Sequence, residues 1–227
     1  MRFSPLPVIR RYLRRKLGTE VFSGPYRGMK WQELNGITCF ETKLLGIYEK
    51  ELYPILENLS CLNIQSLTIL GSAEGYHAIG LANILQLMPV CFESDPVAST
   101  NLKQLAKLNN VTIEPKGTFN ASTEWLPATG LILIDIEGSE NDILTTDRLS
   151  QWKQHHILVE VHAQTIKETL QERTKSLFTS QFIACQERTI YDYPFVIPLK
   201  TVLKRWWRVP VQEWRSDSIG WLWLTPK

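Results

Sequence analysis

What the chain has little of narrows it before any motif is read. Only 4 of its 227 residues are cysteine, and Cys39, Cys61, Cys91 and Cys185 are widely scattered, with no C-x-x-C pair and no zinc-ligand spacing. That argues against a disulfide framework or a zinc ribbon. The four read instead as buried thiols in a reducing compartment, so a cytoplasmic location is expected. Long apolar runs are missing as well: the longest, Leu81 to Phe92, is interrupted by Asn83 and Gln86 and is too short to span a bilayer. The basic run from Arg10 to Lys16 leads into polar residues, not an apolar stretch, so no secretory signal is read.

Acidic residues are absent from positions 1–17, which carry six basic side chains. Residues 18–199 carry thirteen basic against twenty-one acidic groups, and residues 200–227 carry six against two, so a net charge of +2 conceals an acidic body between basic ends. An acidic body argues against nucleic acid lying across a catalytic face, because phosphate neutralisation needs clustered Lys and Arg. Hydrophobic content of 44% and charged content of 21% are ordinary for a globular protein, and 227 residues suit one sizeable core. We expect residues 1–39 to form an N-terminal extension, a basic helix and a small hairpin, ahead of a domain spanning 40–227.

In the extension, Val8, Ile9, Tyr12, Leu13 and Leu17 share one side of a helix, with Arg10, Arg11, Arg14 and Arg15 opposite. A helix packed on its own domain is the expected outcome, and peripheral contact with an anionic membrane is the rival. Val21 to Trp31 alternates like a hairpin. Leu44, Leu45, Tyr48, Leu52, Ile55, Leu56 and Leu59 make an apolar helical face, with Pro54 starting a second segment or a kink.

The centre of the chain is Ser66 to Ala82, where the period changes from strand to tight turn to helix. Leu67 to Leu70 is a short apolar run, Gly71 and Gly75 bracket the turn, and Ala78, Ile79, Leu81, Ala82 and Leu85 recur at helical spacing. This is the opening of a nucleotide-binding βαβ unit. A dinucleotide site wants G-x-G-x-x-G with uncharged surroundings for a pyrophosphate. Here the loop is Gly71-Ser72-Ala73-Glu74-Gly75, and Glu74 sets a carboxylate against any phosphate. A cofactor with a positive amine and no phosphate, such as S-adenosylmethionine, tolerates that carboxylate better.

A second strand, Pro89 to Phe92, ends in Glu93, placed for the carboxylate that accepts from ribose hydroxyls. Asp95-Pro96 is a helix start and Asn109-Asn110 a helix end. A third strand is expected around Val111 to Ile113. Leu131 to Ile134 is a continuous apolar run, as in a strand covered on both faces, and it ends at Asp135, at the carboxyl edge where ligands bind in open α/β sheets. His156 to His162 repeats the type, and Phe182 to Cys185 and Gly220 to Leu224 read as two last strands pairing antiparallel at the sheet edge. The architecture expected is α/β, a Rossmann-like, doubly wound, mostly parallel sheet.

Gly71-Ser-Ala-Glu-Gly-Tyr-His-Ala-Ile-Gly80, Phe92-Glu93-Ser-Asp95-Pro96 and Ile134-Asp135-Ile136-Glu137-Gly138-Ser139-Glu140 resemble the three ordered motifs of FkbM-like, class I S-adenosylmethionine-dependent methyltransferases. The resemblance covers roughly residues 40–165. It implies a seven-stranded sheet and methyl transfer, with Gly71, Ala73 and Gly75 lining the amino-acid end of the cofactor, Glu93 holding the ribose and Asp135 facing the transfer region. Such families often carry an acidic residue two positions before the first glycine, where this chain has Ile69, and Glu74 is a candidate substitute for holding the methionine amine.

A hydroxyl acceptor needs its proton taken. Asp135, Glu137, Glu160 and His162 can gather at the edge of two neighbouring strands. His162 or Asp135 is then a general base with Glu160 nearby. Alternatively, the four ligate a hard divalent cation, or Glu137 and Glu140 cap the next helix while Glu160 pairs with a buried arginine. His77, His155 and His156 read as packing or solvated histidines, and Tyr76 and Trp125 as core aromatics that could flank an adenine. O-methylation of a small molecule or glycan is the expected activity. A nicotinamide-dependent oxidoreductase and a non-catalytic nucleotide-fold binding module are the alternatives.

Overall fold

The structure, a computed structural model, describes residues 5–34, 36–120, 126, 129–197, 202–213 and 220–227. Its seven strands are β1 (Leu67–Leu70), β2 (Pro89–Phe92), β3 (Glu114–Lys116), β4 (Gly130–Ile134), β5 (His155–Val161), β6 (Phe178–Ala184) and β7 (Gly220–Pro226). They form one sheet in the order β3-β2-β1-β4-β5-β7-β6. β1 to β5 run parallel, and β7 lies antiparallel between β5 and β6. The order reverses at β1 and β4, the point where an open α/β sheet leaves a crevice at its carboxyl edge.

Helices cover both faces: α1 (Leu6–Leu17), α2 (Phe40–Leu45), α3 (Tyr53–Leu56), α4 (Tyr76–Leu85), α5 (Pro96–Asn109), α6 (Glu140–Ile143), α7 (Thr146–Gln151), α8 (Gln164–Thr174) and α9 (Val202–Arg205). Every residue of β1 and β4 is buried, which is why both read as unbroken apolar runs. Side chains alternate between two cores. Leu131 and Leu133 join α1, α2, α4 and α5 on one face, while Ile132 and Ile134 join Leu144, Leu149 and Leu170 on the other.

Local signals explain several boundaries. Asp95 Oδ1 accepts from the Val97 N–H at 2.8 Å and Pro96 opens α5, while Asn110, with φ 56°, closes it. Helix α1 packs Ile9 and Leu13 fully into the main core, so the extension shares that core.

Other expectations need correcting. The third strand is Glu114–Lys116, beyond Val111 to Ile113, because those apolar side chains pack against the core instead of pairing. Val21 to Trp31 forms turns joined by a single bridge between Glu20 and Lys30, not a pair of strands. The face from Leu44 to Leu59 belongs to short α and 3-10 turns broken at Gly46 and Glu49, both at positive φ. Of the cysteines only Cys91 is buried, while Cys61 is exposed. His155 is buried at the start of β5 and His156 stacks on Trp223 with ring centroids 5.4 Å apart, so neither is a solvated residue.

Candidate active site

The turn after β1 is held to its neighbours through the backbone. Gly71 N–H and Ser72 N–H both donate to Phe92 O at 3.0 Å, and Asp135 N–H donates to Leu70 O at 2.9 Å. Gly71 adopts φ +79°, and a Cβ there would lie 1.6 Å from Asp135 O. Its requirement for glycine is therefore the close approach of the β4 exit, not only room for a ligand. Gly75, at φ +98°, caps α4 and leaves space for Leu102. Between them Ala73 is held at φ 45°, a strained value for a residue with a side chain.

Glu93 closes this arrangement. One carboxylate oxygen accepts from Ala73 N–H at 2.7 Å and the other from Asp95 N–H at 2.8 Å. The carboxylate bridges the glycine turn and the start of α5, and each oxygen keeps a further lone pair for a hydroxyl donor. Glu74 turns the other way: it is buried and ion-paired to Lys43, whose ammonium also lies 4.6 Å from the Tyr48 ring centroid. Its charge is thus already matched inside the protein. Ser72 is buried, and its hydroxyl has no hydrogen-bond partner among the described residues. A free hydroxyl beside a positive-φ backbone turn and a bridging carboxylate fits an adenosyl ligand.

The second half of the site lies at the exits of β4 and β5. His162 Nδ1 is 2.7 Å from Oε1 of the fully buried Glu140, and that same oxygen accepts from Gly138 N–H at 3.0 Å. A carboxylate only accepts, so Nδ1 carries the proton and Nε2 faces the other acids. Nε2 approaches Glu137 at 3.4 Å, Glu160 at 3.5 Å and Asp135 at 3.6 Å. The hydrogen bond to Glu140 raises the His162 pKa, and the surrounding carboxylates add to the effect. Burial raises that of Asp135, aided by Glu49 and Glu137 and opposed by Glu160 and His162. Burial would also raise Glu140, but its bonds to His162 and Gly138 prevail and lower it.

Asp135, Glu137 and His162 each bring one ligand-type atom within 4.8 Å of the others, so they are also the residues that could hold a cation. Glu137 stands out into solvent at 87% side-chain exposure, whereas Glu160 is buried at 5%.

Glu140 is the residue missed in the sequence, where it reads only as a helix cap. Its partner is 22 positions away and adjacent only because β4 and β5 are neighbours. Glu160 lies beside His162, while the buried arginine, Arg188, pairs with Glu51 and Glu213. His77 is held on both nitrogens, by Tyr26 Oη at 3.0 Å and Glu49 Oε2 at 2.6 Å. Tyr76 is buried against Tyr26 and Trp31. Trp125 lies outside the described residues.

Solved structures share this architecture. A methyltransferase from Pyrococcus furiosus matches at TM-score 0.55 over 99% of this chain and 100% of its own, with 9% identity. The C-terminal domain of precorrin-6Y C5,15-methyltransferase from Rhodobacter capsulatus matches at TM-score 0.50 over 85% and 92%, with 15% identity. The chain has the class I methyltransferase fold. No family model matches the sequence, and no curated protein matches it. Within that fold, the glycine turn, Glu93 and the Asp135–His162 cluster all lie at the carboxyl edge of β1, β2, β4 and β5.

Proposed function

We propose that the protein is an S-adenosylmethionine-dependent methyltransferase that methylates an oxygen of a small-molecule or glycan acceptor. The observation that carries the reading is the single carboxyl edge on which Glu93 braces the glycine turn while Glu140 fixes His162 two strands away. The charge of that edge supports a cationic cofactor. Glu93, Asp135, Glu137 and Glu160 would repel a pyrophosphate, which disfavours the nicotinamide alternative. The acceptor class rests on the FkbM-like motifs.

In this reading Gly71, Ala73 and Gly75 line the amino-acid end of the cofactor, Ser72 and Glu93 meet its hydroxyls, and Glu74 contributes through the turn it anchors to Lys43. When bound, S-adenosylmethionine supplies the electrophilic methyl carbon, so the protein's part is alignment and proton removal. His162 Nε2 receives the acceptor's hydroxyl proton, since Nδ1 is already committed to Glu140. Asp135 and Glu160 then stabilise the imidazolium: at an effective dielectric of about 20, opposite charges about 4 Å apart attract by about 4 kcal/mol.

Thermal shift with S-adenosylhomocysteine and NADH in parallel tests this. Stabilisation by the first, lost in Glu93→Ala, is expected. Stabilisation by NADH alone would move the assignment to an oxidoreductase, and stabilisation by neither to a binding module. The spacing of Asp135, Glu137 and His162 favours one second reading, a divalent cation that polarises the acceptor. Methyl transfer that survives EDTA removes it.

A further inference from the structure

The two basic ends of the chain, far apart in sequence, meet in the fold. Helix α1 packs against α9 and against the 3-10 turn Val209–Val211. Lys16 Nζ lies 4.6 Å from the Phe195 ring centroid, and Phe195 meets Phe22 edge to face at 6.0 Å. Arg11, Arg14, Arg15 and Lys16 on α1, Arg205 at the end of α9 and Arg208 just before the 3-10 turn are all exposed. Arg10 and Arg14 are partly neutralised by Glu33, and Arg10 also by Glu41, but Arg11 and Arg15 have no ion-pair partner among the described residues. Adjacent like charges one helical turn apart are unfavourable by themselves.

Along α1 runs a groove of about 560 Å³ lined by Arg10, Arg11, Arg14 and Arg15, with Thr19 and Glu33. Exposed apolar side chains stand on α1 and on segments packed near it: Val8 on α1 at 48% exposure, Phe22 at 39% against the Phe195 ring that Lys16 covers, Val196 at 91% directly after Phe195, and Trp206 at 36% directly after α9. Met88, Val97 and Tyr191 are the other large hydrophobics exposed among the described residues.

We propose that this corner docks the protein on an anionic phospholipid bilayer, with the arginine groove taking headgroup phosphates and Val8, Val196 and Trp206 entering the interface. The neighbouring apolar side chains are what favour a bilayer over RNA. A sequence-tolerant RNA surface stacks bases on aromatics along a groove, and valines offer no stacking face. Helix α1 does not lie in the membrane by its apolar stripe, because Ile9 and Leu13 are fully buried in the protein's own core. The attraction is electrostatic with shallow apolar anchoring.

The test is co-sedimentation of the full chain with vesicles of phosphatidylcholine alone and of phosphatidylcholine mixed with phosphatidylglycerol. Deleting the helix would open the core, so the variants are the charge reversal Arg11→Glu/Arg15→Glu and, separately, Val196→Asp. Both change exposed side chains, and unaltered far-UV circular dichroism shows that each remains folded. Binding is expected only with the anionic vesicles, weakening with salt. The double reversal should reduce it at least about 25-fold, at about five-fold for each cation lost, and Val196→Asp should reduce it by a smaller factor. No binding, equal binding to both vesicle types, or binding indifferent to the double reversal overturns the proposal. So does capture of a single-stranded RNA through Arg11 and Arg15 with no capture of vesicles. S-adenosylhomocysteine affinity, read in the same preparations, reports the cofactor site independently, so failure of one reading does not decide the other.

Discussion

His162 faces four carboxylates with one imidazole, and the asymmetry between its nitrogens decides what it can do. Nδ1 is bound to a buried acid, while Nε2 lies among Asp135, Glu137 and Glu160 at 3.4–3.6 Å, beyond a normal hydrogen bond. Because the pKa of His162 is raised from 6.5, chiefly by Glu140, the unprotonated base accumulates only above that value. Activity is therefore expected to climb with pH and level off above it. His162→Ala should lower the plateau by about 10²–10⁴-fold. Glu140→Gln should move the rising limb toward acid as well as lowering the plateau, a displacement that loss of packing alone would not produce. Stability has its own window. Glu140, held below 4.5, stabilises the fold above that pH and loses the contribution as pH falls, while His162 stabilises below 6.5 and loses it as pH rises through its raised value. The stability gap between the parent protein and Glu140→Gln is thus expected to be widest between 4.5 and 6.5, as read by denaturation at a series of pH values.

At the scale of elements, two residues on either side of β2 separate strain from capping. Gly71→Ala drives a Cβ into Asp135 O in a backbone already at φ +79°. The exit of β4 must then move, and a loss of about 3–4 kcal/mol is expected. Asp95→Ala removes only the cap on Val97 and should cost about 1 kcal/mol. Urea midpoints at unchanged slope measure both. The elements that could be read in the sequence are those whose signal is local: β1 and β4 from unbroken apolar runs, and α5 from Asp95-Pro96. β3 escaped because Glu114-Pro115-Lys116 has no apolar pattern. As an edge strand paired only with β2 it needs none, and it tolerates a proline. The same limit applies to the site. Asp135, Glu160 and His162 can be placed from strand ends, but Glu140 reaches His162 only after Glu137 and Gly138, at φ 55° and 102°, fold the loop back, a turn that the surrounding structure sets.

On the scale of the whole molecule, the same kind of non-local pairing joins parts of the chain that the sheet does not. Arg188, 2% exposed at the side chain, is ion-paired to Glu51 in the turn before α3 and to Glu213, at 2.9 Å, beyond the last 3-10 turn. Burial alone would lower the arginine's pKa, but its two carboxylates outweigh that and raise it, so the triad is charged in the folded state. Desolvating three ions costs nearly as much as their attraction returns, so the triad is a poor source of net stability and a severe liability when broken. Arg188→Met leaves two carboxylates buried without their cation. The expected loss is about 3–5 kcal/mol, which for a chain of this size lowers the melting temperature by roughly 10 °C. Replacing all three residues together with apolar side chains of similar volume should restore most of that loss, because no charge is then left unmatched. Melting curves of the single and triple variants distinguish a triad that supplies stability from one that only fixes which segments meet. A triple variant as unstable as the single would show that the ions themselves stabilise the junction.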